Sequence, residues 1–187
     1  MRVVLTGAPG SGKTTIAARL AADRPGLTYI AEAATHIYSS RGLRWDRIDT
    51  ATRRDVQRSI YRHQLEQEAA AGDGPVLLDR GTVDGAAYWP DGPDAYWADL
   101  GTTHQAELAR YDAVILLEPS VVVGVYDGES SNAVRFEDEA GALANATLLA
   151  ELWGEHPRLI EVNATESFDD KIAAVETQVD QLLSAEA

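Results

Sequence analysis

Residues 3–21 read VVLTGAPGSGKTTIAARLA: an apolar run, a glycine-rich turn, Lys-Thr-Thr, then an amphipathic segment. Gly7-Ala8-Pro9-Gly10-Ser11-Gly12-Lys13-Thr14 fits the spacing G-x-x-x-x-G-K-[ST]. Glycines let a backbone wrap tightly, so that successive N–H groups converge on one anion. The helix expected next adds its unpaired N–H groups and the positive end of its dipole. In this pattern the lysine reaches β- and γ-phosphates and the hydroxyl after it ligates Mg²⁺. Gly7, Ala8, Pro9, Gly10, Ser11, Gly12, Lys13, Thr14 and Thr15 are therefore expected to cradle a nucleotide, with Lys13 catalytic and Thr14 on the metal.

A strand that feeds such a turn and a helix that leaves it belong to a layered α/β fold. The rest of the chain agrees. Short apolar runs at Arg2–Thr6, Leu27–Ala31, Pro75–Asp79, Ala113–Glu118 and Arg158–Val162 alternate with longer helical patterns, which predicts a parallel sheet. Helices are expected over 13–22, 51–71, 94–110 and 137–153, and from Ser167 onward. In the last, Phe168, Ile172, Val175, Val179 and Leu182 form an apolar stripe, and Ser167 with Asp170 has capping-box spacing. Residues 120–135, SVVVGVYDGESSNAVR, start like a strand and end like a loop. They read as a small lid over about 119–137. At 187 residues the chain is expected to form one domain, 1–187.

The sequence holds no cysteine, which excludes disulfides and thiolate metal sites. It shows no membrane-length apolar stretch and no signal-peptide pattern, so a cytoplasmic protein is expected. A net charge of −14 argues against nucleic acid or an anionic membrane as partner. His36, His63, His104 and His156 lack metal-ligand spacing.

A second informative stretch is GPVLLDRGTVDGAAYW, residues 74–89. It delivers Asp79 to a strand end beside the phosphate turn, where an acid can hold Mg²⁺ through water. Arg80 can then neutralise charge on a transferring phosphoryl group. A plain surface Asp-Arg pair capping the next helix is the competing reading. A signalling GTPase would carry D-x-x-G here and N-K-x-D later, and the chain has neither. A mechanical ATPase would usually carry Asp-Glu at this strand end.

Together, GAPGSGKTT, YIAEAATHIY, VLLDRGTVDGAAYW and YDAVILLEP resemble the NadR/nicotinamide-riboside-kinase-like AAA domain family of small P-loop kinases, and more distantly the deoxynucleoside kinases. The resemblance implies a three-layer α/β/α P-loop fold with a five-stranded parallel sheet, ATP and Mg²⁺ as cofactors, and a small-molecule acceptor. It gives Glu32, at the end of the second strand, the place of a general base, although such a carboxylate could equally bind Mg²⁺ or orient the acceptor. It implies that Arg135, in the lid, closes over the phosphates. It also implies that Asn163, Ala164 and Thr165 lie against the nucleotide base, a turn that reads equally as simple helix capping.

For the acceptor, Arg54 and Arg58 lie on one face of the long helix with Arg62, four residues apart. They could meet an anionic acceptor, though a solvated helix face is the stronger reading. Trp45, Tyr88 and Trp89 are candidates to stack on a planar ring, whereas Trp97 and Trp153 read as helix packing. The expected activity is ATP-dependent phosphoryl transfer to the hydroxyl or phosphate of a nucleoside-like or vitamin-like metabolite, with GTP possible as donor. The alternative is a nucleotide-dependent regulatory module with slow hydrolysis. Oligomeric state is not legible.

Overall fold

The structure is a computed structural model that describes residues 1–118, 139–163, 165 and 167–185. The expected lid with Arg135 lies outside the described residues, as does Ala164. The elements run β1 (Arg2–Gly7), α1 (Lys13–Asp23), β2 (Thr28–Ile30), α2 (Ala33–Arg41), a 3-10 turn (Trp45–Arg47), α3 (Thr50–Ala70), β3 (Val76–Asp79), α4 (Asp84–Ala87), α5 (Pro93–Leu100), α6 (His104–Leu108), β4 (Ala113–Leu117), α7 (Glu139–Trp153), β5 (Leu159–Val162) and α8 (Phe168–Ser184).

The five strands form one parallel sheet in the order β2-β3-β1-β4-β5. Central strands read as unbroken apolar runs because both faces are covered. Val3, Leu5, Leu77, Ile115 and Leu117 face α1 and α8, where Ile16, Leu20, Ile172, Val175 and Val179 meet them. Val4, Leu78 and Val114 face the opposite layer, where Tyr96, Trp97, Leu149 and Trp153 pack. This is a three-layer α/β/α P-loop fold.

Register then places the chemistry. Leu5 pairs with Asp79 and Gly7 with Leu117, so the phosphate turn and Asp79 leave the sheet at one carboxyl edge. Ligands bind along that edge in open α/β sheets. Two glycines of the turn are sterically required. Gly7 has φ 140°, and a Cβ there would come within 2.3 Å of the Leu117 carbonyl oxygen; Gly12 has φ 91°, and its Cβ would meet the Phe168 ring at 2.5 Å.

The structure differs from the sequence expectation in several places, the short α4 and the 3-10 turn among them. The expected 94–110 helix is two helices, because Gly101 takes the left-handed conformation (φ 68°) and Thr103 Oγ1 caps a new start by accepting from Ala106 N. Helix α2 was not expected; it buries only Ala33 and Tyr38 and so has no long apolar stripe to read. Phe168 begins α8 against Gly12 and stays 44% exposed instead of joining the stripe. Ser167 does cap that helix, accepting from Asp170 N at 3.4 Å. Trp97 and Trp153 are buried in the core. Among the described residues no helix is long and apolar enough to cross a membrane, and no cluster of His, Asp or Glu could by itself hold a metal ion.

Candidate active site

The phosphate turn is braced from within. Lys13 is buried, and its Nζ donates to the Ala8 carbonyl at 2.8 Å and to Ser11 Oγ at 3.1 Å. The ammonium therefore stands inside the loop whose amides would meet a phosphate. Thr14 and Thr15 begin α1 and face outward.

Thr14 links the turn to β3. Its hydroxyl donates to Asp79 Oδ2 at 2.6 Å. Only the proton is spent in that bond, so the lone pairs of Thr14 Oγ1 stay available to a cation. Asp79 is fully buried, and its Oδ1 has no hydrogen-bond partner. Burial, then the charge of Glu32, raises the Asp79 pKa, against the pull of Lys13 and the Thr14 bond. A buried carboxylate oxygen with no donor, beside a hydroxyl oxygen, suits a hard divalent cation such as Mg²⁺.

Next along the edge stands a buried ionic cluster. Arg80 is the one non-glycine among the described residues with positive φ (76°). Its backbone N–H donates to the Leu5 carbonyl at 3.1 Å. Its side chain donates from Nε to Glu32 Oε1 at 2.6 Å and from Nη1 to Asp84 Oδ1 at 2.8 Å, with Tyr88 5.4 Å away across its ring face. Burial works against the Arg80 cation, but Tyr88, Glu32 and Asp84 outweigh it and hold its pKa well above the ordinary value. Glu32, at the start of α2, also accepts from Thr35 Oγ1 at 2.5 Å. Arg80 thus grips Glu32 rather than presenting a free guanidinium to the phosphate turn.

Asp84 was not singled out from the sequence. Besides Arg80 it accepts from Thr6 Oγ1 at 2.6 Å, Gly81 N at 3.1 Å and Trp153 Nε1 at 3.2 Å. It ties β1, the turn after β3 and α7 together behind Arg80. Its only sequence signal is its place five residues beyond Asp79.

Glu32 and Arg80 form one wall of a cleft of about 860 Å³, its open mouth included. Pro9 of the phosphate turn stands at one end. Tyr38, Trp45, Gln57, Tyr61 and Tyr88 line the rest. Glu32 and Thr35 also border the adjoining recess that Thr14 lines, so Glu32 stands between the phosphate turn and the aromatic cleft. Of the expected acceptor residues, Trp45 and Tyr88 are on this wall, ring centroids 6.0 Å apart and edge to face. Trp89 is not: it is buried against Tyr96 in the core. Arg54 and Arg58 lie outside the cleft, paired with Asp91 and with Asp99, the latter through two hydrogen bonds of 2.7 and 2.6 Å. Those aspartates come from the 90–100 region and not from the same helix, which is why helix spacing alone did not supply the partners.

Sequence reading missed two further wall residues. The Gln57 side chain is buried and, among the described residues, has no hydrogen-bond partner. The Tyr38 hydroxyl is buried without a partner as well. Burial raises the Tyr38 pKa, opposed by Arg53, so the phenol keeps its proton. Unspent amide and hydroxyl groups in an aromatic cleft are what a planar polar ligand requires. At the far end of the sheet edge, Asn163 is exposed after β5, and Thr165 Oγ1 donates to the Ser167 carbonyl at 2.6 Å.

Comparison with known proteins fits this geometry. A family model described as an AAA domain (AAA_28) matches residues 2–171. No curated protein matches the sequence. Among solved structures, deoxyadenosine kinase from M. mycoides with the products dCMP and a flexible dCDP bound superposes with TM-score 0.68 and 14% identity, over 97% of this chain and 100% of that one. The same enzyme with bound dATP gives TM-score 0.63 at 14% identity, covering 96% and 100%. NadR protein in complex with NR gives 0.69 at 16% identity, over 96% of this chain and 48% of NadR, so the chain spans about half of that protein. At these identities the superpositions establish the fold. The family match runs from β1 into α8, through the phosphate turn, Asp79, Arg80 and the cleft wall, and by it the chain belongs to the AAA_28 family of AAA domains.

Proposed function

We propose that the chain is a small-molecule kinase that moves the γ-phosphoryl group of ATP to a hydroxyl of a nucleoside-like acceptor. The observation that carries this reading is the position of Glu32, a buried carboxylate held by Arg80 and Thr35 between the phosphate turn and the aromatic cleft. An acceptor ring against Trp45 and Tyr88, its polar edge on Gln57 and Tyr38, would bring its hydroxyl toward Glu32. Glu32 then takes the hydroxyl proton. Lys13 and the backbone N–H groups of the phosphate turn hold the phosphates.

Thr14 and Asp79 would hold Mg²⁺, which when bound neutralises phosphate charge. Arg80 sets the position of Glu32, and through that grip the acceptor side is kept in place for transfer. Catalysis on this reading is positioning and electrostatics, with no covalent intermediate. Asn163 and Thr165 border the donor base. The solved neighbours bind NR in one case and deoxynucleotides in the other, which supports a nucleoside-like acceptor here.

The test is an ADP-release screen with ATP·Mg²⁺ across nucleosides, nicotinamide riboside, other vitamins, sugars and their phosphates. Acceptor-stimulated release of at least about ten times the basal rate is expected for a neutral, ring-bearing alcohol. Slow basal hydrolysis indifferent to every acceptor would instead favour a regulatory module. Arg80, spent on two carboxylates, is the observation on that side.

A further inference from the structure

Two buried polar atoms next to the phosphate turn lack partners, and they belong to residues that share a face of the sheet. Tyr29 of β2 is in register with Leu77 of β3, and Asp79 follows two residues later. Parallel neighbours in register point the same way, and side chains two apart on a strand share a face. Tyr29 and Asp79 are therefore diagonal neighbours under α1. The Tyr29 ring packs against the core that contains Leu77 and Ile16. Its hydroxyl is buried and makes no hydrogen bond, and neither does Asp79 Oδ1.

A phenol carrying its proton can only donate to a carboxylate beside it. Asp79 meanwhile has Oδ2 fixed by Thr14 and Oδ1 without a donor. Buried polar atoms left in this state are rare, and each is an unpaid desolvation cost.

We infer that Tyr29 is a positioning residue for Asp79: its hydroxyl is the second donor of the carboxylate, taking Oδ1 while Thr14 holds Oδ2. With one donor the carboxylate can turn about its side-chain bond. With two, on opposite oxygens, its plane is set, and the remaining lone pairs face the place where Thr14 would share a divalent cation. The inference rests on Asp79 serving that cation, as proposed above.

The experiment is calorimetric titration of ADP into the full chain, in excess Mg²⁺ and in EDTA, for wild type, Tyr29→Phe and Asp79→Asn. Tyr29→Phe is expected to leave the affinity in EDTA unchanged and to cut the Mg²⁺-dependent gain by about 3- to 10-fold, the loss of one hydrogen bond to a charged group. A merely structural hydroxyl would leave that gain alone. Full retention of the gain in Tyr29→Phe, with the gain lost in Asp79→Asn, overturns the inference and spares the metal reading. Retention in Asp79→Asn overturns both. As a measurement that keeps the hydroxyl, 3-fluorotyrosine placed at position 29 is expected to shift its ¹⁹F resonance with ADP and Mg²⁺ but not with ADP in EDTA; an unmoved resonance overturns the inference.

Discussion

Arg80 Nε lies 2.6 Å from Glu32 Oε1, and both side chains are buried. A carboxylate gripped this way is oriented but costly to disturb, since removing either charge leaves the other buried with less compensation. Glu32→Gln keeps the shape and loses the charge. Turnover is expected to fall by at least about 10²-fold, while ADP affinity stays near wild type. Steady-state ADP release with the best acceptor, beside a nucleotide titration, checks this. A loss under threefold would reduce Glu32 to a positioning group.

Lys13 braces the phosphate turn and, on the proposed reading, meets the phosphates. Lys13→Ala is expected to lower phosphoryl transfer by more than about 10³-fold. The fold should survive, because the sheet and its two covering layers do not depend on the ammonium. Circular dichroism melting should stay within a few degrees of wild type. Unchanged transfer would remove the turn from the mechanism.

Gln57 offers an amide to the cleft at no cost to the protein's own hydrogen bonds. Gln57→Leu should therefore fold normally, yet raise KM for a ring-bearing acceptor by about 10-fold or more, with kcat within about threefold. KM for ATP should not move. Acceptor and donor saturation curves separate the two outcomes, and an unchanged acceptor KM would place the ring elsewhere.

Lys171 supplies a pH prediction. It is buried on α8, and its Nζ donates to the Glu118 carbonyl at 2.6 Å, tying the end of β4 to the helix. Burial lowers its pKa to about 8, although Glu118 pulls upward. The folded state thus binds this proton more weakly than the unfolded chain does. The penalty is full below about pH 8 and is relieved as pH rises toward the ordinary lysine value. Lys171→Met removes the penalty along with the hydrogen bond. Its stability relative to wild type should accordingly be best near pH 7 and worsen toward pH 10, read from urea unfolding at the two pH values. A pH-independent difference would show that the proton is not released in this window.

The sheet was legible because doubly covered strands leave unbroken apolar runs, as in Val76–Asp79 and Ala113–Leu117. The phosphate turn was legible because its spacing is local. The aromatic cleft was much less so. Gln57, Tyr38 and Asp84 come from three separate helices and carry no shared spacing, so only the crossover geometry assembles them. Trp89 and Tyr88 are adjacent in sequence, yet one is buried in the core and the other lines the cleft. Residue type marked both as candidates to stack on a ring, and the short helix α4 decided between them. For Arg54 and Arg58 the anion-site reading stayed open beside the favoured solvated face because their aspartate partners lie more than thirty residues away in sequence.

The left-handed backbone at Arg80 is held in place by what its side chain does. A side chain there tolerates a conformation that disfavours every residue but glycine, at a cost of roughly 1–3 kcal/mol. Glycine at position 80 would relax the main chain but leave Glu32 and Asp84 buried without their cation, and breaking a buried pair in that way costs about 3–5 kcal/mol, more than the strain it relieves. The two carboxylates thus keep an arginine where backbone geometry alone would favour glycine.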